Sequence, residues 1–246
     1  MEGGNDGWTE LHWACWDGNL AEIKHLLATG ADIHAKLSSS GKTPLHMAAS
    51  SGDAACITAL LEAGADPFAV CNPPEGFDKA NKFRLISDRK TEAEHDGFYQ
   101  LSTSLEDVPS DLRPLDLAAV NGSAESVRLL NKAMKTANPS PEQIKPPPYT
   151  ILRHCVINDW DETMHALIEG GMSIDTVDPS GCGPLHWALV GDSVFMIREL
   201  LAAGADPYRR YNAGQDFHQY VRALYLNDPD MMNTVLQILA LECKEG

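Results

Sequence analysis

TPLHMAASSGDAACITALLEAGAD, residues 43–66, poses the question on which the fold turns: does His46 belong to a reactive site, or to a recurring piece of scaffold? The answer lies in how often the word returns. TELHWACWDGNLAEIKHLLATGAD starts at 9, RPLDLAAVNGSAESVRLLNKAM at 113, TILRHCVINDWDETMHALIEGGMSID at 150 and GPLHWALVGDSVFMIRELLAAGAD at 183. The steps are 34 residues from 9 to 43, 70 from 43 to 113, 37 from 113 to 150 and 33 from 150 to 183. A period in the thirties marks an architecture of stacked repeats. The double step holds no second word of this kind, so 72–109 reads as an insertion.

Each unit follows one grammar. A Thr or Gly, usually followed by Pro, caps a short helix at its first turn. Small residues follow (Ala14-Cys15, Ala48-Ala49, Ala118-Ala119), which lets neighbouring helices approach closely. Gly18, Gly52 and Gly122 break that helix. A second helix carries an apolar stripe such as Ile57, Leu60 and Leu61, or Ile197, Leu200 and Leu201. The glycine of the closing word, Gly30, Gly64, Gly171 or Gly204, supplies the left-handed residue that ends it.

These words resemble the ankyrin repeat family over roughly 7–71 and 111–208. The match is specific at 43–66 and 183–206 and good at 9–32. It is weaker where Asp116 and Arg153 replace the histidine. The resemblance implies an all-α repeat, an ankyrin solenoid of stacked helix-turn-helix units joined by β-turns or short hairpins. Repeats are expected at about 5–37, 38–71, 110–138, 146–178 and 179–211, with a degenerate cap at 212–243 ending in MMNTVLQILALE. It also implies that His12, His46 and His186 are structural, their rings bonding backbone between neighbouring turns. A catalytic histidine needs an oriented partner and a nucleophile, and recurrence once per repeat argues against one privileged site.

Composition narrows the function classes. The chain has 246 residues, 43% of them hydrophobic and 22% charged, as in ordinary globular proteins. Nineteen Lys and Arg stand against 35 Asp and Glu, a formal charge of −16. That balance repels phosphate backbones and anionic lipid and disfavours nucleic-acid and membrane binding. A partner with a basic patch is the expected complement. MEGGNDG lacks the charge and apolar run of a signal peptide, and the six scattered cysteines form no disulfide pattern. A cytoplasmic or nuclear protein is expected.

Enzyme signatures are missing. No Walker, GxGxxG, GxSxG or HExxH word is present. Cys182 and His186, with His154 and Cys155 one repeat earlier, lack the paired spacing of a structural zinc site. No cofactor or metal is expected, and the chain reads as a non-enzymatic interaction module.

In the family, the residue before the word and the two ending the first helix face a concave groove. By position, the resemblance assigns partner contacts to Trp8, Trp16, Asp17, Lys42, Ser50, Ser51, Leu112, Val120, Asn121, Tyr149, Ile157, Asn158 and Val190, with Cys182 beside them. Trp13 and Trp187 sit where leucine is usual and are expected in the core. The insertion carries Lys79, Lys82, Arg84, Arg89 and Lys90 and is expected to act as a contact arm beside the groove. Pro146-Pro147-Pro148-Tyr149 fits the PPxY pattern of WW-domain ligands. That suggests an alternative role, an adaptor recruiting a ubiquitin ligase or another WW-domain protein.

Overall fold

A computed structural model describes residues 7–71, 112–137, 149–178, 181–209, 216–225 and 228–242. The described residues form twelve helices. They are α1 (Glu10–Trp16), α2 (Leu20–Ala28), α3 (Pro44–Ser51), α4 (Ala54–Glu62), α5 (Pro114–Val120), α6 (Ala124–Thr136), α7 (Tyr149–Ile157), α8 (Asp161–Glu169), α9 (Pro184–Val190), α10 (Val194–Ala202), α11 (Phe217–Leu224) and α12 (Pro229–Glu242). None of them is long and apolar enough to cross a membrane.

The recurring word is a helix start. In α1 the N-cap Thr9 takes the backbone N–H of His12, and the His12 ring returns to the Thr9 backbone. Thr43 and His46 repeat the arrangement at α3. Histidine thus fills the third helical position, where capping boxes usually place Glu or Gln. The closing word has its own local reason. The carboxylates of Asp32, Asp66 and Asp206 accept the N–H two residues on at 2.9, 2.9 and 2.8 Å. Each Asp folds the chain into the turn that leaves the second helix.

The chain divides into two compact units, Met1–Lys145 and Pro146–Gly246. In the first, α3 packs between α1 and α5, and α4 between α2 and α6, so first helices stack on first helices and second on second. Ala48, Ala49, Ala118 and Ala119 are fully buried, and their small size lets α3 and α5 close on each other. Ile57, Leu60, Val127 and Leu130 fill the space behind them. The second unit follows the same plan, with α9 packing on α7 and α11, and α10 on α12. Phe217, Val221 and Val235 close its core at the far end.

Gly52, at φ 74°, turns α3 into α4 in the left-handed region that glycine enters without cost. The later repeats put Asp159 (φ 57°) and Asp192 (φ 51°) at this place. Asp tolerates the left-handed region better than most residues, and here its carboxylate is also used. The Ser193 hydroxyl donates to Asp159, and the Tyr225 hydroxyl donates to Asp192 at 2.9 Å. Each of these turns is therefore held by the repeat that follows it.

The turns between repeats share a base. Leu37 N–H donates to the Lys42 carbonyl at 3.0 Å, and Asp178 N–H to that of Cys182 at 2.9 Å. Cys71 and Leu112 exchange two such bonds, of 2.9 and 3.0 Å, as an isolated antiparallel bridge. Residues 72–111 stand where the first turn has only 38–41. The pair that flanks the insertion is thus an ordinary turn base, and the insertion itself lies outside the described residues.

Candidate partner-binding site

The site is built on the capped histidines. His12 Nε2 lies 3.2 Å from the Lys42 carbonyl, and His46 Nε2 lies 3.1 Å from the Leu112 carbonyl. The Thr43 N–H points at His46 Nδ1 from 3.1 Å, so Nδ1 accepts and Nε2–H donates to Leu112. Both ring nitrogens are engaged. Burial lowers the His46 pKa to about 4, with the charges of Lys42 and Lys36 pushing the same way. A buried, neutral, doubly bonded imidazole fixes the turn and has no nitrogen left for a substrate.

The third repeat reaches the same end by different chemistry. Arg113 and Asp116 take the places of Thr and His. The Arg113 backbone N–H donates to the Asp116 carboxylate at 2.8 Å, and the guanidinium adds bonds of 3.1 and 3.0 Å. Both side chains are buried. In the fifth repeat Gly183 supplies no hydroxyl, and the His186 ring packs edge-on against Tyr220 and Phe217 at 4.5 and 5.8 Å. Burial lowers its pKa to about 4 as well.

Above the Lys42 turn the first repeat opens a cleft of about 440 Å³, lined by Trp8, Trp13, Trp16, Leu37, Ser39, Ser40, Lys42 and Met47. Trp8 packs on Trp13 with ring centres 4.2 Å apart and planes tilted by 32°, and meets Trp16 nearly at right angles at 6.4 Å. Trp13 and Trp16 are 52% and 50% exposed. Leu37 and Met47 are buried beneath them. Trp13 thus corrects the sequence expectation of a core residue: α1 packs against α2 and α3, yet Trp13 stays half-exposed. Trp187, in the same place in its repeat, is buried, with its ring beside Tyr149 at 6.4 Å and its N–H on Asp178 at 3.1 Å.

The structure gathers Trp8, Trp16 and Lys42 into this cleft and leaves the other anticipated contacts outside its lining. Asp17, Ser51 and Asn121 are exposed, and Ser50 and Val120 are half-buried. The Ser51 hydroxyl and the Asn121 amide bond back to Ala48 and Leu117, each at 2.9 Å. Leu112 departs from its expected role. It is 5% exposed, and its side chain is occupied by the core. In the second unit Ile157, Asn158, Cys182 and Val190 are half-buried. Tyr149 begins α7 and packs on Trp187, a contact it would have to leave to enter a WW groove. Pro146, Pro147 and Pro148 lie outside the described residues.

Among the described residues, reactive chemistry is poorly supplied. Burial pushes the Cys15 and Cys155 thiols up to about 12 and Cys182 to about 11, far from thiolate reactivity. Cys182 and His186 gather no cation site with His154 and Cys155 among the described residues; the convergent group there is Asp161, His165 and Glu199. His165 Nδ1 donates to the Asp161 carbonyl at 2.9 Å, and Nε2 lies 3.9 Å from Glu199.

A family model for ankyrin repeats in three copies matches residues 2–70 and 115–211, most of the chain. The chain is an ankyrin-repeat protein. Solved structures share the fold. The ankyrin repeat domain of Bcl-3, described as a unique member of the IkappaB family, is 22% identical. That match covers 95% of this chain and 87% of that one, with a TM-score of 0.62. EF0377, an ankyrin repeat protein, is 18% identical over 94% and 96%, with a TM-score of 0.60. The human ASB11 ankyrin repeat domain is 19% identical over 94% and 98%, with a TM-score of 0.57. No curated protein matches. Ankyrin repeats are a non-enzymatic scaffold for protein–protein interaction, and these low identities carry the fold alone.

Proposed function

We propose that this ankyrin-repeat protein is an interaction module that binds a partner protein through the groove of its first repeats, with 72–109 contributing contacts beside it. The carrying observation is the cleft at Trp8, Trp13 and Trp16. Large aromatics dominate interface hot spots, and two of these rings stand half-exposed over a buried apolar floor. Support for the arm is that Cys71 and Leu112, which flank the insertion, pair on the same kind of turn base that carries Lys42.

A quantitative pull-down tests the reading. Wild type, Trp16→Ala/Lys42→Ala and a form lacking 74–107 are compared after circular dichroism has shown them equally folded. A protein enriched by wild type and lost with the double variant supports the groove, and its loss with the deletion supports the arm. The same proteins bound equally by all three forms would remove both from the function.

A further inference from the structure

We infer that the tryptophan cleft takes a partner segment in which an aromatic or long aliphatic side chain stands next to a carboxylate, the apolar group entering beside Trp13 and Trp16 and the carboxylate meeting Lys42. The inference rests on the module reading above and names the chemistry of its partner.

Size and stiffness come first. About 440 Å³ lies within the range of small binding pockets and holds one or two side chains rather than a helix. The walls are already packed on one another, Trp8 lying against Trp13 and edge-on to Trp16. Tryptophan has only two side-chain torsions, so an occupant orders little that is not ordered beforehand. Beneath, Leu37 and Met47 are buried and offer nothing to a polar tip.

Charge then selects the neighbour of that anchor. Among the described residues, Lys42 is the one charged residue in the lining and forms no salt bridge. Lys36 lies close by, and the fields of both lysines reach His46 and disfavour its protonation. Lys42 and Lys36 thus bring positive charge to this turn although the chain carries −16 overall. The two facts act at different ranges. The net charge governs distant approach and is screened beyond about 8 Å at physiological salt, whereas Lys42 acts at contact. A basic segment, the complement expected from net charge alone, is opposed here at contact. A cation held by the rings is also disfavoured, because it needs ring faces open around it. Trp8 and Trp13, 4.2 Å apart, leave no space between them.

The test uses the full chain and three pools of short peptides, N-acetylated and C-amidated. Each pool has a central Phe or Leu, flanked by Asp or Glu, by Lys, or by Ser, with the other positions randomised over uncharged residues other than tryptophan. Protein tryptophan fluorescence reports binding, since no peptide contains tryptophan. The acidic pool is expected to bind about tenfold more tightly than the lysine pool, as one desolvated charge contact allows. Lys42→Glu should reverse that order, Lys42→Arg should keep it, and Trp16→Ala should weaken every pool. Equal binding of the pools by wild type, or an order that Lys42→Glu leaves unchanged, overturns the inference. If no pool binds while the pull-down still loses a partner on Trp16→Ala/Lys42→Ala, the module reading stands and this one falls. If the pull-down fails as well, both fall.

Discussion

The imidazole of His46 donates from Nε2 to the carbonyl of Leu112, 66 residues further along the chain and 3.1 Å away. His12 makes the same bond to Lys42 across a turn of ordinary length. The bond therefore takes no account of what lies between the two ends of the turn. With the Cys71–Leu112 bridge it closes the insertion at its base.

Excision of 74–107 is accordingly expected to leave the fold intact. Loop-closure cost rises with the logarithm of length, so a loop cut from some 40 residues to a handful favours folding by about 1–2 kcal/mol. The urea midpoint should stay the same or rise. Loss of cooperative unfolding in the excised form would mean that the insertion holds the repeats together. His46→Ala acts in the opposite sense. It empties a buried site and strands the Leu112 carbonyl, at a cost of about 2–4 kcal/mol.

The buried Arg113–Asp116 pair performs in the third repeat what Thr and His perform in the first two. Removing one member leaves the other charged and buried, so Arg113→Ala should cost about 3–5 kcal/mol. The double replacement Arg113→Thr/Asp116→His rebuilds the local word and should recover most of that loss. Chemical denaturation of the two variants gives both values. A double variant no more stable than Arg113→Ala would show that the two solutions are not interchangeable in this backbone.

How much of this was legible in the sequence follows from the range of each interaction. The helix starts, the left-handed glycines and the repeat period were readable because they are set within a few residues: Thr9 with His12, Asp66 with the N–H of Phe68. The final helix was readable from its apolar period. Burial of a residue at a fixed place in the word was not. Trp13 and Trp187 occupy the same place, yet one is half-exposed and the other buried, because only the second meets another repeat's ring, that of Tyr149. The three-tryptophan cleft is not legible for this reason: position in the word points Trp8 and Trp16 at the groove but Trp13 into the core. Asp116 looked like a defect in the histidine word, although Arg113 three residues earlier carried the signal of a buried pair. Position in the word points Leu112 at the groove, and its bridge to Cys71 across the insertion has no local sequence signal.

Acid should weaken the fold before the carboxylates titrate. His46 and His186 have folded pKa values of about 4 against 6.5 in the unfolded chain, and burial lowers His12 too. Between those values the unfolded state binds more protons. Stability is then full above 6.5 and falls as the pH drops toward 4. Each such histidine adds a slope of up to about 1.4 kcal/mol per pH unit. Urea midpoints measured from neutrality down to about pH 5 should decline, and His46→Gln should flatten the decline. A constant midpoint over that range would mean that the imidazoles are protonated in the folded protein.

The tryptophans should divide in solution as they do in the structure. Trp13 and Trp16 face solvent over half their surface, whereas Trp187 is 1% exposed and hydrogen-bonded to Asp178. Acrylamide should quench the first two strongly and Trp187 hardly at all, as read from the difference between wild type and each Trp→Phe variant. Stability should separate them in the opposite order. Trp16→Ala removes a side chain that packs on one side only and should cost about 1 kcal/mol or less. Trp187→Ala leaves a cavity and a buried carboxylate short of a donor, and should cost about 3–5 kcal/mol. A large loss at Trp16 would change the meaning of the cleft. Its rings would then be the outer wall of the core, and failure of Trp16→Ala to bind a partner would report unfolding. A small loss makes the same variant a clean probe of recognition.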